Sequence, residues 1–187
     1  MRVLGIAGSL RSDSHNGRLL QAAAALLPPD VEFVQFDGLK AIPPFDEDDE
    51  RAPGDAVEAW RSQLQDADAL LFATPEYNHS IPGTLKNAVD WASRPSATAA
   101  LRNKPAAVIG TSTGMFGAVW AQAELRKSLA AAGARVLEGE LPVPDAENAF
   151  GPDGALADDD QALALGGILA ELIAEARARE TVLSSVA

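Results

Sequence analysis

The 187-residue chain has no cysteine. Disulfides, thiol nucleophiles and thiolate metal sites are therefore excluded, and a cytoplasmic location is expected. Positive charge is scarce: 15 Lys and Arg face 27 Asp and Glu, for a net charge of −12. So acidic a chain argues against nucleic acid and anionic membranes as partners. Any anionic ligand then needs locally placed cations or backbone N–H groups. No apolar run approaches the ~18 residues of a membrane span. Met1-Arg2-Val3-Leu4 begins as a strand rather than a signal peptide, since no h-region or cleavage site follows. Only two histidines occur, His15 and His79, too isolated to hold a metal. Neither G-x-G-x-x-G nor the Walker pattern is present, and no Ser-His-Asp order is apparent. Paired acids such as Asp48 and Asp49 fall in a charge run, Asp46 to Glu50, that reads as a solvated face. With no catalytic side chains in view, chemistry would have to come from a bound cofactor.

What is present suits a globular chain, 47% hydrophobic and of a length for one domain over residues 1–187. Apolar strand patterns recur at Val3–Ala7, Val31–Phe36, Asp68–Ala73, Lys104–Gly110 and Ala134–Leu141, the last broken by Pro142 and Pro144. Helical spacing fills the intervals: Leu19 to Leu27, stopped by Pro28-Pro29, then Asp55–Asp66 with Asp55 as N-cap, Gly83–Trp91, and Gly114–Ala132 closed by Gly133. A last helix is expected over Asp158–Arg179, with Thr181–Ala187 frayed. Five alternations of strand and helix imply an α/β fold, a parallel sheet covered on both faces. Five strands favour the flavodoxin-like order 2-1-3-4-5 in a three-layer α/β/α arrangement. That order places its ligand at the carboxyl ends of the first and third strands, here Gly8 and Thr74.

Three loops carry the polar chemistry. Gly8 to Asn16 offers Ser9, Ser12 and Ser14 hydroxyls, the Arg11 guanidinium, the Asn16 amide and a helix N-terminus, a set suited to a terminal phosphate. Read alone, Ser14 and Asn16 also suit plain helix caps, with Arg11 on the surface. Pro75, Glu76, Tyr77, Asn78 and His79 combine a ring with donors and acceptors, fit for a flat heteroaromatic; equally, Pro75 and Tyr77 suit turn and packing roles and His79 a solvent-facing one. Gly110 to Gly117 has glycines that let backbone approach a planar ligand, with Ser112 and Thr113 as donors.

Taken together, these loops resemble the NADPH-dependent FMN reductase family of flavodoxin-like quinone, azo-dye and chromate reductases. The matching signatures are G-S-L-R-x-x-S-x-N at Gly8–Asn16 and P-E-Y-N-x-S-x-P-G-x-L-K-N-A-x-D-W at Pro75–Trp91; I-P-P-F-D-E-D from Ile42 is similar too, and puts the acidic loop near the site's periphery. The likeness spans roughly Arg2 to Leu141. It implies that Ser9, Arg11, Ser14 and Asn16 hold an FMN phosphate. Pro75, Glu76, Tyr77 and Asn78 would line the isoalloxazine, largely through backbone, and Ser112, Thr113 and Gly114 would close the other side. Lys86, Asn87 and Trp91 read as helix and packing residues. One departure is that Gly117 is followed by Ala118 where relatives often carry paired glycines. The implied activity is ping-pong hydride transfer from NADPH or NADH through FMN to a small-molecule acceptor, with no side chain acting as acid or base. A homodimer or homotetramer is also implied, with the helix bearing Trp120, Gln122, Glu124 and Arg126 as a contact surface. The competing reading is a flavodoxin-type electron carrier, which the acidic charge suits but the G-S-L-R-x-x-S loop does not.

Overall fold

The computed structural model describes residues 1–186. Strands β1 (Arg2–Ala7), β2 (Glu32–Phe36), β3 (Ala69–Thr74), β4 (Pro105–Thr111), β5 (Arg135–Val136) and β6 (Pro142–Val143) alternate with helices α1 (His15–Ala25), α2 (Asp55–Asp66), α3 (Gly83–Ala92), α4 (Val119–Ala131) and α5 (Asp159–Val186). The sheet runs β2-β1-β3-β4-β5 with every pairing parallel, and β6 also pairs with β4. This is the flavodoxin-like α/β order expected from the alternation. β3 and β4 are buried along their whole length, which is why A-L-L-F-A-T and P-A-A-V-I-G-T read as unbroken apolar runs rather than alternating ones.

Each face of the sheet carries its own core. On one side α2, α3 and α4 bury Trp60, Leu85, Trp91 and Leu125 against Leu4, Phe72 and Val108. On the other, α1 and α5 bury Leu19, Leu20, Leu165 and Leu172 against Val3, Leu71 and Ile109. Both buried indoles find acceptors: Trp60 Nε1–H donates to Ala88 O and Trp91 Nε1–H to Pro43 O, each at 2.8 Å, so neither ring leaves a dry N–H.

The structure departs from the sequence reading where the chain bends. The fifth strand does not end at Pro142 but resumes there. Val136 pairs with Ala106 and Pro142 with Gly110, so six steps on the edge strand match four on β4, and the two extra residues bulge out. Proline is tolerated because this edge has no further neighbour needing its N–H. α4 starts five residues later than expected, since Gly117 (φ 55°) and Ala118 (φ 62°) are left-handed and cannot begin a right-handed helix. Gly54, at φ 83°, occupies the N-cap of α2, and Asp55 is the first helical residue instead. α5 continues through Thr181 to Val186, where fraying was expected; Ala187 lies outside the described residues. The acidic loop sits away from the strand ends that carry the three loops. Glu47 pairs with Arg94, beyond the C-terminus of α3, so the run is drawn toward the other end of the sheet.

Candidate functional site

Because β1, β3 and β4 are adjacent and parallel, their carboxyl ends bring the three polar loops together. Ala7 is level with Ala73, and Thr74 with Gly110. At ~4.8 Å between strands, the outer two loops leave the sheet about 10 Å apart. The close fit begins at Gly8, whose N–H donates to Ala73 O at 2.8 Å. A Cβ there would meet Leu85 at 2.9 Å and Pro75 at 3.1 Å, so only glycine lets the end of β1 lie against the second loop.

In the first loop, Ser9 Oγ accepts from the Arg11 N–H at 3.4 Å. Ser14 is the N-cap of α1, its Oγ accepting from Gly17 N–H at 3.3 Å. The N–H groups of His15 and Asn16 meet no acceptor among the described residues. Arg11 is exposed, and among the described residues its guanidinium forms no ion pair. Asn16 is different. Its side chain is buried, with Nδ2–H donating to Thr111 O at 3.0 Å and Oδ1 accepting from Thr111 N–H at 3.1 Å. The amide is thus committed to joining α1 to the end of β4, which leaves only its backbone N–H for a ligand.

The second loop is a tight hairpin. Tyr77 and Ser80 exchange backbone hydrogen bonds at 3.0 and 3.1 Å, and Asn78 (φ 54°) and His79 (φ 59°) make the left-handed pair of a primed turn. Pro75 is buried, and Tyr77 is half exposed. The Glu76 carboxylate accepts from the Trp120 and Ala121 N–H groups, both at 3.1 Å, and lies 3.5 Å from His79 Nδ1. The His79 ring meets Trp120 edge-on at 4.8 Å.

The third loop is anchored from below. Thr111 Oγ1–H donates to Val143 O, and Ser112 N–H to the same oxygen at 3.2 Å. Ser112 Oγ–H donates to Gly114 O at 3.5 Å, while Thr113 and Gly114 are exposed. Gln122 is fully buried: Nε2–H donates to Gly117 O and Leu141 O, and Oε1 accepts from Leu141 N–H, all at 3.1 Å. It therefore belongs to the loop's foundation and not to an outer contact face. Trp120 is 42% exposed, and Arg126 turns to Glu140 at 2.6 Å. Composition and spacing held no signal for Gln122 or Thr111, since their partners are set by the edge-strand bulge and by a helix 95 residues away.

The P-P-F stretch has its own anchor. Asn87 Nδ2–H and Trp91 Nε1–H both donate to Pro43 O, and Asn87 Oδ1 accepts from Phe45 N–H at 2.7 Å. The motif residues Asn87 and Trp91 on α3 thus clamp a loop, in keeping with a packing role. A concavity of about 820 Å³ lies between Ser93–Asn103 and Ala131–Gly133, where α3 and α4 end. It holds none of the loop donors, which gather at the opposite end of the sheet.

The donor set at that end fits a phosphorylated planar cofactor. An unpaired guanidinium, two serine hydroxyls and free N–H groups at a helix start suit a phosphate in an acidic chain. A wall of largely backbone polar groups, with exposed Tyr77, Met115 and Phe116 around it, suits a flat ring.

Comparison with known proteins agrees with this geometry. The model of a family described as NADPH-dependent FMN reductase matches residues 1–148. The chain is 47% identical over 162 residues to an NAD(P)H-dependent FMN reductase of Pseudomonas aeruginosa, covering 85% of this chain and 86% of the relative. It is 44% identical over 126 residues to a 2-hydroxy-1,4-benzoquinone reductase of a Burkholderia species, covering 67% and 68%. Among solved structures, the flavoenzyme NAD(P)H:(acceptor) oxidoreductase FerB of Paracoccus denitrificans superposes with a TM-score of 0.82 at 34% identity, over 94% of this chain and 97% of that one.

Proposed function

Because the chain belongs to the NADPH-dependent FMN reductase family, we propose that its three strand-end loops hold FMN and present it to a nicotinamide and an acceptor in turn. The protein is an FMN-dependent NAD(P)H oxidoreductase. When bound, FMN would supply the redox chemistry between NAD(P)H and the acceptor. The chain's own part is to bind, orient and shield.

The observation that carries the assignment of residues is the first loop. Arg11 has no ion pair among the described residues, and it stands beside hydroxyls and free N–H groups at the start of α1. Ser9, Arg11 and Ser14 hold the phosphate through side chains, and Asn16 through its backbone N–H. Pro75, Glu76, Tyr77 and Asn78 line the isoalloxazine through backbone groups, and Ser112, Thr113 and Gly114 close the other side. In this reading no protein side chain moves a proton; positioning and exclusion of water do the protein's work. Residues 1–187 act as one domain.

A small, flat, electron-poor acceptor such as a quinone fits the exposed aromatic rim, and relatives are named for quinone substrates. The rim also supports assembly as a homodimer or homotetramer, since Tyr77, Met115, Phe116 and Trp120 leave large apolar side chains exposed, Phe116 and Trp120 in contact with each other. Among the described residues no helix is long and apolar enough to cross a membrane, and the lack of cysteine fits the cytoplasm. The test is a steady-state panel of quinone, azo, flavin and chromate acceptors run on FMN-loaded protein with both nicotinamides. Acceptor-dependent NAD(P)H oxidation is expected; FMN binding with no turnover on any acceptor would instead identify an electron carrier.

A further inference from the structure

Glu76 follows β3 directly, yet its side chain serves a different element. Its Oε2 accepts from the N–H groups of Trp120 and Ala121, in the first turn of α4, 44 and 45 residues away. The helix's own N-cap, Ala118, has no side-chain acceptor to offer. A helix start leaves several N–H groups unsatisfied and carries a partial positive charge, so an outside carboxylate is well matched to it. With its side chain only 13% exposed, Glu76 makes these bonds largely out of solvent. A second link reinforces the first: Ser80 Oγ–H donates to Glu124, further along α4.

We propose that Glu76 is a positioning residue for the reaction, a cap lent by the second loop to α4 that fixes the hairpin Tyr77–Ser80 against the third loop. The proposal rests on the flavin-site reading above. The hairpin needs such a tether, because Asn78 and His79 both hold left-handed backbone, unfavourable for residues with a Cβ. The third loop needs it too, since α4 begins on a left-handed alanine with no cap of its own. Without the carboxylate, the two walls are no longer held at one separation. If the closed arrangement falls to about a tenth of the population, the apparent Kd for FMN rises about tenfold.

The test compares Glu76→Ala, Glu76→Asp and Glu76→Gln in the full chain. FMN binding is followed by fluorescence titration, and NADPH oxidation with 1,4-benzoquinone is measured on FMN-saturated protein. Glutamine keeps the reach and an acceptor oxygen but loses the charge; aspartate keeps the charge but is one methylene too short for both N–H groups. The expected pattern is an FMN Kd raised about tenfold in the alanine and aspartate proteins, with quinone KM raised more than kcat is lowered. Glutamine should restore both to within about threefold of wild type. Should the alanine protein fail to fold, the aspartate and glutamine pair still decides. Aspartate behaving as wild type while glutamine behaves as impaired would overturn the cap in favour of a charge effect. Wild-type values in every variant would overturn the cap alone, whereas a wild-type protein that binds no FMN would overturn the flavin-site reading with it.

Discussion

Arg11 stands in an acidic molecule as an exposed cation with no carboxylate partner among the described residues. Exposed ion pairs add little to stability, so its absence from one costs the fold nothing measurable. A phosphate beside it gains a charge-assisted bond of roughly 1.5–3 kcal/mol. Arg11→Ala is therefore expected to weaken FMN binding by about tenfold to a hundredfold in a fluorescence titration, with thermal stability of the FMN-free protein unchanged. Equal FMN affinity would remove Arg11 from the phosphate site. Asn16 marks the limit of reading at this scale. Its place in G-S-L-R-x-x-S-x-N suggested a side chain aimed at the phosphate, and its amide turns out to be bonded twice to Thr111. A motif specifies which residue recurs, but a buried amide has one partner set by the tertiary fold, and that partner lies 95 residues on.

At the scale of elements, the start of α4 separates two neighbouring left-handed residues by what surrounds them. A Cβ on Gly117 would stand 2.5 Å from both Pro142 C and Val143 N, backbone atoms that cannot rotate away. Ala118 already has its methyl group, fully buried in the core beneath α4. Gly117→Ala is expected to destabilise the protein by about 2–4 kcal/mol in urea unfolding, from overpacking added to an unfavourable φ. Ala118→Gly removes ~1–2 kcal/mol of backbone strain. It also loses ~0.8 kcal/mol of methyl burial and adds roughly 0.4–1 kcal/mol of unfolded-state freedom. The terms nearly cancel, so Ala118→Gly should fall within about 0.5 kcal/mol of wild type. A large gain would mean that the methyl packs poorly. The departure from paired glycines is thus absorbed by one strained alanine. Periodicity located α2 and α3 closely, with Asp55 and Gly83 as their first residues, whereas α1 begins at His15, just after its Ser14 cap and four residues before the helical spacing that starts at Leu19. It misplaced the start of α4 and the course of the fifth strand because both are set by contact between Gly117 and the Pro142–Val143 edge.

For the whole molecule, α/β alternation alone led to the strand order, because right-handed crossovers between parallel strands leave few alternatives. The same sheet buries a lysine at the end opposite the candidate site. Lys104 is 6% exposed, and its Nζ donates to Gln65 O at 2.7 Å and to Ala67 O. Burial, and then repulsion from Arg179, pulls its pKa down from 10.5 to about 8, against the opposing pull of Asp68 and Asp66. An unfolded lysine keeps its proton to about 10.5, so between the two values the unfolded chain binds more protons and stability rises with pH. The unfolding free energy of wild type relative to Lys104→Met should therefore climb from about pH 8 to about 10.5 and be flat below that window. No climb in urea titrations across those pH values would mean that water reaches the ammonium.

The central claim is that this chain holds FMN at three strand-end loops and reduces it with a nicotinamide. Anaerobic mixing of FMN-loaded protein with NADPH or NADH, followed by the visible absorbance of the flavin, tests it most directly. The account predicts that at least one nicotinamide bleaches the band, and that 1,4-benzoquinone restores it once the nicotinamide is spent. A band that stays unbleached with either nicotinamide while FMN remains bound would contradict it.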